Sequence, residues 1–262
     1  MKTKVYLQRL QKLMPNTWLE QIQYIHSSLL CRWILLGGSK PLTLSQKSAM
    51  VFSPHQDDET FGCGGMIAHK REQGIPVTVV FLTNGQGAAG TDPDAQNAMI
   101  KIRQQEAIEA LKILGVESAS IHFLAKIDGS LQDLENDEKQ QTISQVSALL
   151  QTYQPEEVYV PHRKDCHKDH EATYKLVKAA INQTNITVEL IQYPIWLFWR
   201  APLFILLKLP DIAAAYCFSI ASVQEKKNQA IASYKSQIAS LPDGFIQRFL
   251  GAYEIFFRVE SE

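Results

Sequence analysis

From about Ser48 onward, short runs of β-branched and aliphatic residues alternate with longer stretches in which apolar residues recur every three or four positions. That change of period predicts strands alternating with amphipathic helices. Ala49 to Ser53 reads as the first strand, followed by a helix from about Gly64 to Gln73 that Gly74 ends. Val77 to Leu82 supplies the second strand, and a long helix from about Asp94 to Leu114 stops at Gly115. A strand at Ser120 to Phe123, a helix at Glu138 to Tyr153, a strand at Glu157 to Val160, a helix at about Glu171 to Asn182 and a strand at Val188 to Tyr193 complete the series. Repeated right-handed crossovers of this kind predict an α/β fold, a Rossmann-like parallel sheet with helices on both faces.

Two segments depart from this rhythm. Residues 1–47 read as an N-terminal helical arm: Asn16 is placed to cap a helix in which Trp18, Ile22, Ile25, Leu29 and Trp33 recur at helical spacing, a stripe expected to pack on the main domain of residues 48–262. An apolar insertion occupies about 194–215, with Pro194 to Pro210 rich in aromatic and aliphatic residues and broken by Arg200, Pro202 and Lys208. Such a run suits contact with an apolar aglycone or a peripheral contact with a membrane surface. Its competing and commoner use is a buried strand end with a contact between copies of the chain, a homo-oligomer. The basic opening, MKTKVYLQRLQKLMP, lacks the unbroken apolar run of a signal peptide and is expected to be retained. No window offers the roughly twenty apolar residues of a spanning helix.

At 262 residues and 45% hydrophobic content the chain can bury one sizeable domain. A formal net charge of -1 offers no basic field for a nucleic acid and favours a small-molecule substrate. Cys31, Cys63, Cys166 and Cys217 form no CxxC pair, so neither a disulfide framework nor a thiolate zinc site is suggested, and a reducing, cytoplasmic setting is expected.

Chemistry gathers where two strands end, and in open α/β sheets ligands bind beyond the carboxyl ends of the strands. The first strand runs into Ser53-Pro54-His55-Gln56-Asp57-Asp58-Glu59, the fourth into Pro161-His162-Arg163-Lys164-Asp165-Cys166-His167-Lys168-Asp169-His170. Three His or carboxylate ligands with an open position for water make a catalytic zinc site, which His55, Asp58 and His170 can supply. Fe²⁺ suits the same donors. Asp57, beside a ligand, is the natural general base. His167 is placed to stabilise charge on a carbonyl oxygen, with Asp169 holding it charged and oriented. His162 is either a supporting residue or merely polar, and His26, His69 and His122 lie away from both turns and read as structural.

The stretch Pro54 to Gly65, PHQDDETFGCGG, resembles the signature PHPDDExxGCGG of the N-acetylglucosaminyl deacetylases of the PIG-L/LmbE-like family. Similar residues continue at Thr83-Asn84-Gly85, Arg103, Glu106, Ala107, Leu114, Gly115 and Asp128-Gly129, then at Asp165, His167, Asp169 and His170, and late in the chain at Lys226, Ala230, Ile231, Tyr234, Ser236 and Gln237. The resemblance spans about Ser48 to Ile238. It implies a zinc-dependent hydrolase that removes an N-acetyl group from an N-acetylglucosamine-containing conjugate, with His55, Asp58 and His170 as metal ligands, Asp57 as base, His167 and Asp169 as the transition-state pair and Arg103 as a substrate contact. Gln56 and Lys168 stand where the family usually has Pro, and Gln86 where many members carry Glu; Gln56 is expected to give the turn more freedom. An amidase for another acyl group, or a non-catalytic sugar- or lipid-binding module, is the alternative. A dinucleotide site is disfavoured because Gly62-Cys63-Gly64-Gly65 is not GxGxxG and follows an acidic turn.

Overall fold

The computed structural model describes residues 15–258, so nearly all of the basic opening segment lies outside the described residues. Helix α1 (Asn16–Trp33) leads through a π-helical turn to β1 (Lys40–Leu42). The layered series follows: β2 (Ala49–Ser53), α2 (Asp58–Glu72), β3 (Val77–Thr83), α3 (Pro93–Ile113), β4 (Ile121–Lys126), α4 (Asn136–Tyr153), β5 (Glu157–Pro161), α5 (Lys168–Thr184) and β6 (Glu189–Tyr193). Short helices α6 (Leu197–Arg200) and α7 (Leu209–Ala213) lie in the insertion, and β7 (Ala215–Ser219), α8 (Gln224–Ala232), α9 (Lys235–Ile238), α10 (Asp243–Gln247) and β8 (Tyr253–Arg258) close the chain.

All eight strands form one sheet in the order β1-β7-β8-β6-β5-β2-β3-β4. From β6 to β4 it is parallel, as expected. Side chains on β2 alternate between two cores, Ala49 and Val51 on one face, Met50 and Phe52 on the other, so helices must cover both. The chain builds outward from β2 to β3 and β4, then returns to place β5 on the other side of β2. That reversal opens a crevice at the ends of β2 and β5, where the two chemistry-bearing segments begin.

Beyond β6, past the last strand read from the sequence, the sheet is mixed: β8 runs antiparallel to β6 and β7, and β1 adds in parallel to β7. Three residues of β1 carry no readable period, which is why the expected arm included a piece of the sheet. The insertion is mostly buried. Leu197, Phe198, Ala201, Leu207 and Ile212 join Leu30 and Ile34 of the arm and Phe257 of β8 in a third core.

The arm packs differently from expectation. Leu30 and Ser27 are the buried positions of α1, whereas the stripe from Trp18 to Trp33 faces outward. His26 explains the choice of face, because its ring bonds the carbonyl of Phe198 (3.3 Å) and accepts from the amide of Leu203 (3.1 Å). Among the described residues no helix is long and apolar enough to cross a membrane.

Both chemistry-bearing segments lie closer to helices than expected, since α2 and α5 begin at Asp58 and Lys168 rather than at Gly64 and Glu171. Glycines hid the start of α2 because their helix propensity is low. Packing requires them: a Cβ at Gly62 would sit 2.3 Å from Tyr193 Cδ2, in a ring pinned by its hydroxyl on the carbonyl of Phe52 (2.8 Å). Gly62→Ala is therefore expected to lower stability by about 1–3 kcal/mol, read as a fall in thermal midpoint beside wild type.

Candidate metal centre

The turn after β2 is tied at several points. Thr83 Oγ1 donates to the carbonyl of Pro54 (2.7 Å), and Ser53 Oγ donates to the carbonyl of His55 (2.7 Å). Gln56 is fully buried and its amide donates to the carbonyl of Thr83 (2.7 Å). The residue expected to loosen the turn anchors it instead. Asp57 sits at φ 146, a conformation that is strained for any residue but glycine. Its amide is held by Glu59 Oε2 (3.1 Å), and Glu59 also accepts from the Tyr234 hydroxyl.

This strained step brings Asp58 inward. Asp58 Oδ2 lies 3.0 Å from His55 Nδ1 and 3.2 Å from His170 Nε2, so the three residues expected as ligands converge on one buried oxygen. His170 Nδ1 is committed to Asp165 Oδ2 at 2.7 Å. With the proton on Nδ1, the Nε2 lone pair faces a carboxylate, an arrangement that needs a proton or a cation between the two. That is the carboxylate–imidazole–cation geometry of metal sites, and the donor set fits a divalent ion. Nitrogen atoms of His167 also come within 4.8 Å of those of His55 and His170, and His55, Asp128 and Asp169 make a second such group.

Charges follow from burial and neighbours. Burial works against a charged His55, but its carboxylate partners Asp128, Asp169 and Asp58 outweigh it and raise the imidazole well above its ordinary range. Burial likewise opposes the charge on Asp58, yet His170 and His55 hold its carboxyl far below the usual carboxylate range. Asp57 moves the other way: burial and the charge of Asp58 push it up, with Arg103 pulling against them. A carboxylate raised toward neutrality is a stronger base than one at its ordinary value.

The pair expected from His167 and Asp169 is not formed. Asp169 accepts from His55 Nε2 (3.1 Å) and from the amides of Gly129 (2.7 Å) and Leu131 (3.1 Å), which engage both of its oxygens. His167 Nδ1 is buried with no hydrogen-bond partner, and burial with the nearby charges of His170 and His55 pushes the imidazole down to about 3. His167 is therefore neutral here, edge-on to His55 with ring centres 5.0 Å apart. Arg103 is 4% exposed rather than open to a substrate. Its guanidinium donates to the carbonyl of Gln56 (3.1 Å) and lies 3.6 Å from Asp57 and 3.8 Å from Asp128.

Two residues join the site without having been assigned a role from residue chemistry. Asp128, 3.1 Å from His55 Nε2, is held down to about 2: burial opposes its charge but the contact with His55 prevails. Its place just after β4, at the same sheet edge, was the available signal. Asp165 accepts from the amides of Ile195 (2.9 Å), Trp196 (3.0 Å) and Leu197 (2.9 Å) besides His170, so it orients the His170 ring and fastens the insertion to the site. Asp165→Asn is expected to weaken metal binding about 10–100-fold, measured by competition with a chelator.

His162 stands outside the cluster, against the ring of Phe257 at 4.8 Å, with Nδ1 accepting from the amide of Lys164 (3.2 Å). Burial lowers it to about 4. Unfolded chains bind this proton near pH 6.5, so the folded state is progressively disfavoured as pH falls from 6.5 to about 4, by a total on the order of 3 kcal/mol. Stability measured against pH should fall less steeply over that window in His162→Gln.

The family described as PIG-L, GlcNAc-PI de-N-acetylase, matches residues 50–181, half of the chain. An Escherichia coli K12 protein named "Uncharacterized deacetylase YaiS" is 30% identical over 136 residues, covering 50% of this chain and 65% of its own length. A Bacillus subtilis protein named "Probable N-acetyl-alpha-D-glucosaminyl L-malate deacetylase 2" is 30% identical over 148 residues, covering 52% of this chain and 61% of its own. A 4-oxalmesaconate hydratase of Pseudomonas putida is also 30% identical, over 141 residues, 52% of each chain. The chain thus spans less than two thirds of the length of these relatives. N,N'-diacetylchitobiose deacetylase from Pyrococcus horikoshii shares the fold, with a TM-score of 0.61 at 21% identity over 81% of this chain and 84% of that one.

Proposed function

This chain belongs to the PIG-L family, and from that premise we propose that it is a metal-dependent hydrolase removing the N-acetyl group from an N-acetylglucosamine-containing conjugate. The observation that carries the reading is Asp58 Oδ2 poised between the imidazoles of His55 and His170, with the carboxyl of Asp57 raised beside it. The names of the Bacillus and Pyrococcus relatives support the choice of an N-acetylated sugar.

His55, Asp58 and His170 would hold the ion, Zn²⁺ by preference for this donor set, with Fe²⁺ also suited. When bound, such an ion acidifies a water and polarises the amide carbonyl. Asp57 takes the proton from the attacking water as its oxygen bonds the carbonyl carbon. The same carboxyl then delivers that proton to the amine nitrogen as the C–N bond breaks, leaving acetate and a free amine. Arg103 and the side-chain carboxylate of Glu59 keep Asp57 on its strained turn. His167, neutral and edge-on to His55, is placed to donate a hydrogen bond to the developing oxyanion.

The test is release of acetate and amine from a panel of soluble and lipid-linked N-acetylglucosamine conjugates by metal-loaded protein, with Asp57→Asn as control. Turnover that the control lacks is the expected result. Silence across the panel with metal bound, or turnover only of an unsaturated carboxylic acid as the name of the Pseudomonas relative would suggest, overturns the amidase reading.

A further inference from the structure

The arm presents an apolar face that nothing in the described chain covers. On α1, Trp18, Ile22, Ile25, Leu29 and Trp33 fall at intervals of three and four residues, which makes them one stripe along the helix. All five are exposed, Trp18 to 66% and Leu29 to 65%. A surface helix with one packed face ordinarily carries polar residues on the other, and a contiguous apolar patch of this size marks an interaction site. Beside it, the turn of the insertion is fastened to His26 through the amide of Leu203 (3.1 Å), and its tip residue Phe204 is 72% exposed at φ 67. A bulky aromatic in left-handed backbone, turned to solvent, is costly and contributes nothing to the core.

Charge narrows the choice of occupant. Residues 1–36 contain Lys2, Lys4, Arg9, Lys12 and Arg32 against the single carboxylate Glu20, although the chain as a whole carries -1. A second copy docking on the stripe would bring two such basic segments together. An anionic bilayer is the complementary partner, accepting the aromatic and aliphatic stripe at the acyl boundary while its headgroups attract a sequence with this excess of cations.

We propose that the outer face of α1, with the Phe204 turn beside it, docks the protein on an anionic lipid surface. The docking face adjoins the site. Leu19 and Glu20 of α1 wall a cavity of about 450 Å³ together with Trp196 and Arg200, and the cavity reaches Cys166, the neighbour of His167. Binding through α1 sets that cavity against the surface from which an amphiphilic molecule would enter.

Sedimentation of the full chain with vesicles tests this. At low salt most of the protein should pellet with an equal mixture of phosphatidylcholine and phosphatidylglycerol. Partitioning should be at least about tenfold weaker on pure phosphatidylcholine or in high salt. The triple variant Trp18→Ser, Ile22→Ser, Leu29→Ser, its fold verified by circular dichroism and melting, should lose at least about tenfold in partitioning onto the mixed vesicles. Folded wild type left in the supernatant overturns the proposal. So does equal partitioning of wild type and variant, or a dimer that the triple variant converts to monomer with no vesicle binding in either.

Discussion

Asp58→Ala is expected to strip the metal and abolish turnover together. Asp58 is the anionic member of the proposed ligand set and carries the oxygen on which His55 Nδ1 and His170 Nε2 converge, at 3.0 and 3.2 Å. Without it the imidazoles keep their carboxylate partners on the far ring nitrogens, Asp169 and Asp165, but lose the shared oxygen between His55 Nδ1 and His170 Nε2. Two neutral donors hold a zinc ion far more weakly than three ligands including a carboxylate. Asp58→Asn separates chemistry from folding, because it preserves the side-chain shape and an acceptor for the amide of His55 (3.2 Å) while removing the charge. Both variants should melt as folded proteins and, after dialysis, contain much less than one metal equivalent by elemental analysis. One retained equivalent with wild-type turnover would remove Asp58 from the ligand set.

Asp57→Asn should do the opposite, keeping the metal and losing about 10²–10⁴ in kcat, a barrier rise of about 3–5 kcal/mol. Asn has nearly the shape of Asp and adds no backbone restriction, so the turn is retained with the strain it already carries, and the backbone amide keeps its bond to Glu59 (3.1 Å). What disappears is the carboxylate proposed to accept the water proton and return it to nitrogen. KM for the acetylated substrate should change little, because Asp57 works on the proton rather than on the bound amide. Steady-state kinetics on zinc-loaded protein would decide it; undiminished kcat would assign the base to another residue.

The parallel half of the sheet was legible because its strands are short, mostly apolar and β-branched runs, set off by turn residues such as the Gly74 that precedes Val77 to Leu82. That His55, Asp58 and His170 would meet was legible for the same reason: their segments follow strands directly, and strand ends in an α/β sheet share one edge. Side-chain pairing was not. That Asp169 serves His55 rather than His167 depends on where the amides of Gly129 and Leu131 lie, forty residues away in the chain, and no local spacing encodes that. Arg103, which the family resemblance implied as a substrate contact, is drawn under the turn by the carbonyl of Gln56 and the carboxylates of Asp57 and Asp128. The arm misled by its period, which locates an apolar stripe without saying whether the protein's own core or something else covers it. His26, bonded to the insertion on both ring nitrogens, settles which face packs.

The central claim is that a metal held by His55, Asp58 and His170 makes amide hydrolysis possible, and the direct test is a titration. Metal-stripped protein receives Zn²⁺ in increments while acetate release from an N-acetylglucosamine conjugate is followed. The account predicts no turnover without metal and a rise that levels off at one equivalent. Full turnover by the stripped protein, or an identical titration curve in Asp58→Asn, would contradict it.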